Sequence, residues 1–180
     1  YKIMKNIFQT KSLLLASIFI SLLAFISCSD DPDDPVIENE EEVITTLTYT
    51  LTPAEGGSAV VLSYVDLDGD GSNEPTITNG TLSAETIYSG AFTLLNETES
   101  PAESITEEIA EEDKDHQFFF ETTVTGLTVE YTDFDGDGNP VGLSTFLTTG
   151  AAGSGNLTVT LKHEPDKSAS GVSDGDMTNA

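Results

Sequence analysis

The 180-residue chain has no tryptophan and no arginine, a single cysteine and only two histidines. Each shortage removes a class of function. Nucleic-acid binding needs a basic footprint, and none exists: three of the six lysines precede Cys28, leaving three against 32 Asp and Glu in the rest of the chain. A lone cysteine cannot close an intramolecular disulfide, so no covalent staple holds the fold. No G-x-S-x-G elbow and no G-x-x-x-x-G-K-[ST] phosphate loop occurs, which leaves nucleophilic and phosphoryl-transfer chemistry without a recognisable device. Carboxylate pairs for glycoside hydrolysis abound, but without Trp no side chain of that type can stack a sugar. His163 sits beside Glu164 and His116 follows an acidic stretch; both read as surface residues. The composition therefore points to a protein that is not an enzyme.

What is present begins with "MKNIFQTKSLLLASIFISLLAFISC", from Met4 to Cys28. Lys5 and Lys11 supply a positive start, Leu13 to Ile26 an apolar run, and the run stops at Ser27-Cys28, as in a secretory signal peptide over residues 1–27. The run is short for a membrane span, which takes roughly 17–25 residues. Residues 28–42, "CSDDPDDPVIENEEE", are acidic and proline-bearing. Such a segment buries too little apolar surface to order itself and reads as a flexible tether. The formal charge of −26 for the whole chain keeps it soluble, repels anionic lipid headgroups and strains a compact state by self-repulsion, which bound cations would relieve.

From Val43 to Ala180 one β-rich domain is expected. "TLTYTLT" places Leu47, Tyr49 and Leu51 on one side, "LTVEY" does so with Leu127, Val129 and Tyr131, and "NLTVTLK" with Leu157, Val159 and Leu161. This period of two marks strands with one buried face. Further strands are predicted at 76–82, 86–96, 117–124 and 143–148, with Phe118, Phe119 and Phe120 filling the core and an edge. About eight short strands suit one all-β antiparallel sandwich or barrel. "SPAESITEEIAEED" breaks the pattern: Ser100 as N-cap, Pro101 at the first position and Glu103 at the third predict an acidic helix of about three turns. It would bury Ile105 and Ile109 and join two strand-rich halves. Tyr64 and Tyr131 stand 67 positions apart, and the same offset aligns Thr93-Leu94 with Thr160-Leu161, as in a duplicated four-strand unit. The ending "GVSDGDMTNA" offers no closing strand and reads as a C-terminal truncation.

The repeat contains the most chemical motif in the sequence, "DLDGDG" from Asp66 and "DFDGDG" from Asp133. Asp66, Asp68, Asp70 and Gly71, like Asp133, Asp135, Asp137 and Gly138, occupy positions 1, 3, 5 and 6 of an Asp-rich calcium loop. In such a loop alternate carboxylates converge as the chain coils and glycine permits the bend. The bidentate Glu of an EF-hand is missing, since position 12 holds Ile77 or Ser144, and strands replace the flanking helices. Glu74 at position 9 adds a ligand to the first loop; the second has Val141 there. Asp-Gly is also a strong turn dipeptide, so a plain hairpin competes with calcium. Two carboxylates about 4 Å apart repel by roughly 4 kcal/mol at an effective dielectric of 20, so three that converge need a cation or splay into water.

Phe25, Ile26 and Ser27 ahead of Cys28 resemble a bacterial lipobox, and Ser29-Asp30-Asp31 resembles the acidic signal that sends lipoproteins of Bacteroidota to the outer face of the outer membrane. Together with the Thr-rich strands and Asp-Gly loops, these residues resemble small flavobacterial surface lipoproteins, some of which are named for the type 1 periplasmic binding fold. The resemblance implies lipidation of Cys28, a surface-exposed outer-membrane lipoprotein, and binding of a small solute or glycan. A periplasmic or secreted location is the alternative. The strand pattern does not suit the two-lobed α/β architecture in that name. A solute binder would have a partly apolar pocket between its sheets; a structural or adhesive module would have an exposed patch instead.

Overall fold

The computed structural model describes residues 42–68 and 73–180; the expected signal peptide, Cys28, the tether up to Glu41, and Asp70 lie outside them. The described chain is an all-β sandwich of eight strands with one helix. In order these are β1 (Thr46–Pro53), β2 (Val60–Val65), β3 (Thr76–Thr78), β4 (Ile87–Leu95), α1 (Ile105–Glu111), β5 (His116–Thr122), β6 (Thr128–Tyr131), β7 (Ser144–Thr148) and β8 (Leu157–His163). Six strands form one antiparallel sheet in the order β3-β2-β1-β4-β7-β6, and β5 pairs with β8 in a second.

The alternation in β1 and β4 sets the core. Tyr49 and Leu51 on β1 and Tyr88, Phe92 and Leu94 on β4 are buried, and β5 brings Phe118 against them. Tyr49 stacks on Phe92 with centroids 4.1 Å apart, and Phe92 on Phe118 at 4.8 Å. Offset aromatic pairs of this kind add about 0.5–1.5 kcal/mol beyond area burial. Gly90 makes the column possible. A Cβ there would lie 2.6 Å from the Tyr49 ring and 2.5 Å from Thr145 Oγ1, so only glycine lets Tyr49 cross β4 to share a 2.6 Å hydrogen bond with Thr145 on β7.

The helix starts later than its first capping signal suggests. Asn96 and Glu103 exchange backbone hydrogen bonds of 3.1 and 3.0 Å, so Ser100 and Pro101 sit in the loop that this bridge closes. Ser104 is the N-cap, accepting from the Glu107 amide at 3.4 Å, and the helix is seven residues long. The narrow stripe is as expected: Ile105 and Ile109 are buried. Thr106 also accepts from the Leu94 amide at 2.7 Å and donates to the Leu94 carbonyl at 3.2 Å, satisfying β4 where β7 has ended.

The 67-residue offset carries each strand of the first half to within three residues of a strand in the second, yet the pairing differs. The first half is continuous as β3-β2-β1-β4, whereas β6 joins β7 and β5 joins β8 in separate sheets. The link that corresponds to β1–β2 is missing because the β5 backbone is otherwise engaged. The Phe118 amide donates to the Val141 carbonyl at 2.7 Å, and its carbonyl accepts from the Tyr131 hydroxyl at 2.6 Å. Residues 164–180 form no strand but two short 3₁₀ turns. They pack on the other side of β5, where Val172 is buried and its carbonyl accepts from Gln117 Nε2 at 2.8 Å.

Candidate functional site

Both acidic loops connect antiparallel neighbours, β2 to β3 and β6 to β7, as their Asp-Gly content predicts. Their carboxylates have different surroundings. In the first loop Asp66, Asp68, Asn73 and Glu74 line one surface depression. The Asp68 carboxylate accepts from the Asn73 backbone at 3.0 Å and from its side-chain amide, and Tyr64 donates to Asp66 at 3.3 Å. No lysine pairs with Asp68 or Glu74 among the described residues. Asp68 and Glu74 face solvent.

In the second loop each carboxylate has its own donors. Asp133 turns back to the chain, taking the Gly142 and Leu143 amides at 3.0 and 2.9 Å. Asp135 is buried and takes the amides of Asp137 and Asn139, both at 2.9 Å. Lys167 Nζ, from the C-terminal segment, stands 3.2 Å from its other oxygen and 2.6 Å from the Asp113 carbonyl. Asp137 reaches outward to Lys114 at 2.8 Å. Gly138 has the left-handed conformation expected of position 6, with φ of 88°. Val141, at position 9, is a core residue. Burial alone would raise the Asp135 carboxyl, but the Asn139 backbone and the Lys167 ammonium outweigh it and hold the group below the usual aspartate range. Two of the three lysines beyond Cys28 thus serve this loop, and an ammonium stands on the carboxylate that a calcium ion would use.

A third cluster involves residues that the sequence pattern places on the surface. His116 is fully buried. It lies directly opposite His163 in the β5–β8 register, and the two rings stack at 4.8 Å with 11° between their planes. Its Nε2 is 2.7 Å from Glu42 Oε1 and its Nδ1 is 3.1 Å from the Glu112 carbonyl. Glu42, the last residue of the expected tether, is therefore docked on the domain, with its side chain 13% exposed. The missed signal was positional: the first residue of β5 meets the last residue of β8 only if those strands pair antiparallel, and nothing local specifies that partner.

The space between the sheets is occupied by Tyr49, Phe92, Phe118 and their partly buried neighbours, including Phe120, Val129 and Val159. Two concavities among the described residues lie elsewhere, at the first acidic loop and between Phe119 and the C-terminal segment. No helix among the described residues is long and apolar enough to cross a membrane. Comparisons with protein-family models, curated proteins and solved structures find no match for the chain.

Proposed function

We propose that this chain is a non-catalytic surface module, held at the outer membrane by lipid on Cys28, that adheres to a neutral, hydroxyl-rich glycan through the open face of its six-stranded sheet. The observation that carries this reading is the distribution of charge. In a chain of formal charge −26, the strand register brings Thr46, Thr48 and Thr50, Ser63 and Val65, Thr76 and Thr78, Ala91 and Thr93, and Ser144 and Phe146 to one face. None of them is buried. Glu130, opposite Phe146, is the acidic residue within that face, and Glu97 touches Thr46 at its rim. Hydroxyls with adjacent methyl groups can pair with sugar hydroxyls and cover their C–H edges, and Phe146, 46% exposed, adds a ring.

The packed space between the sheets gives a solute-binding reading less support than an adhesive one. Calcium belongs to the first loop in this proposal, with Asp66, Asp68 and Glu74 as described ligands and Asp70 completing the motif. Its role is to rigidify the β2–β3 edge, where Tyr64 and Ile77 are exposed. The adhesive test is co-sedimentation of the full chain with an insoluble neutral polysaccharide, compared with Ala91→Glu. Ala91 is exposed on β4, so the variant should keep the wild-type thermal midpoint and lose most of the sedimented fraction. Equal sedimentation of the two proteins, or none by the wild type, would sink the proposal.

A further inference from the structure

We propose that Glu42, His116 and His163 form a binding site for a divalent transition cation of the zinc type, separate from the acidic loops. One ligand atom from each residue lies within 4.8 Å of the others. The hydrogen bonds around His116 supply the argument. Its Nδ1 faces the Glu112 carbonyl at 3.1 Å, a group that only accepts, so Nδ1 carries hydrogen. In the neutral ring Nε2 then has a lone pair, yet it faces the Glu42 carboxylate at 2.7 Å, which also only accepts. Two acceptors in that contact need a metal cation or a proton between them. The Nδ1–carbonyl bond is the outer contact that fixes a metal-ligating imidazole in tautomer and orientation.

Distances and donor types favour the metal. Zinc takes imidazole nitrogen and carboxylate oxygen at about 2.0–2.2 Å, which places tetrahedral ligand atoms about 3.3 Å apart. The observed separations, from 2.7 Å for Glu42–His116 up to 4.8 Å within the group, bracket that value. A cation would open the short contact and draw His163 inward. Two imidazoles and one carboxylate suit zinc, cobalt or nickel, whereas calcium requires six to eight oxygens. Glu103, Glu42 and Glu112 each act electrostatically on Glu108 of α1, so the local field is negative and attracts a cation. Three protein ligands leave a fourth position for water. Since Glu42 leads into β1, His116 begins β5 and His163 ends β8, the ion would clamp the entry of the chain to the two-stranded sheet.

The test uses the full chain titrated with Co²⁺, followed by visible absorption, and with Zn²⁺ in competition with a chromophoric chelator. One equivalent should bind with the intense bands of low-symmetry, four-coordinate cobalt. His163→Ala and Glu42→Gln, both at partly exposed positions, should each weaken Zn²⁺ binding at least about tenfold. Asp68→Ala should leave it unchanged, and excess Ca²⁺ should not compete. His116→Gln is a supporting variant only, because its site is fully buried. Zn²⁺ binding weaker than millimolar, or retained in both His163→Ala and Glu42→Gln, would overturn the proposal and leave His116 and Glu42 as a structural pair.

Discussion

The two acidic loops share five residues of six, "DLDGDG" against "DFDGDG", and both turn a strand back on its neighbour. The first leaves Asp68 and Glu74 open to solvent around a depression, with Asn73 as the nearest donor to Asp68. The second buries Asp135 beneath Lys167 and directs Asp133 into the amides that precede β7. The difference comes from outside the motif, because the C-terminal segment supplies Lys167 to Asp135 of the second loop. A cation motif becomes a structural corner when a remote ammonium takes up its charge.

The largest effect that would break this comparison is expected from Lys167→Met. Lys167 and Asp135 have side chains only 7% and 1% exposed, and removing one partner of a buried pair strands the other charge. We expect a loss of about 3 kcal/mol by denaturant unfolding, with the calcium response of the first loop unchanged. A loss below about 1 kcal/mol would mean that the backbone donors alone satisfy Asp135.

A slightly smaller effect separates the loops by ligand. Calcium at a hundred times its dissociation constant should stabilise the protein by about 2.7 kcal/mol. Asp68→Ala should abolish most of that gain while barely changing the midpoint in EDTA. Asp135→Ala should lower the midpoint equally with and without calcium. A calcium response that is lost in Asp135→Ala and kept in Asp68→Ala would reverse the assignment.

Acid sharpens the contrast further. Asp135 has a depressed folded-state value, so its contribution is complete above the ordinary aspartate value of about 3.9. It is lost as the pH falls from there through the lower folded value. Unfolding free energy should therefore decline below about pH 4, and Lys167→Met should make that decline shallower. An identical acid profile in the variant would disconnect Lys167 from the titration of Asp135. The smallest effect belongs to Lys114→Ala. Lys114 and Asp137 are 58% and 65% exposed, and solvent screens such a pair, so the midpoint should stay within measurement error.

Much of the fold was legible locally. Alternation in "TLTYTLT" and in 87–95 gives strands whose inward residues, Tyr49, Leu51, Phe92 and Leu94, are the observed core. A side chain two positions along a strand returns to the same face whatever the strand pairs with. The helix was legible through Ile105 and Ile109, but its start was not, since Ser100 and Ser104 both offer the same capping pattern. The bridge between Asn96 and Glu103 chose between them. The acidic loops were legible as turns. Their unequal chemistry was not, because Lys167 lies 32 positions from Asp135, and Glu42 lies 74 positions from His116.

The sequence by itself determined the strand periodicity, the buried isoleucine stripe, the two Asp-Gly corners and an overwhelming negative charge. All of these depend on residues that act within a few positions of one another. Only the tertiary structure decided that β7 joins β4 while β5 joins β8, that a threonine-rich face stays open, and that a lysine fills one loop. It also decided that two histidines expected at the surface stack against each other beside Glu42. Those outcomes depend on which distant segments meet. That choice is made by packing the whole core, where Phe118 stacks on Phe92 and its backbone bonds to the Val141 carbonyl and the Tyr131 hydroxyl instead of to the backbone of β6.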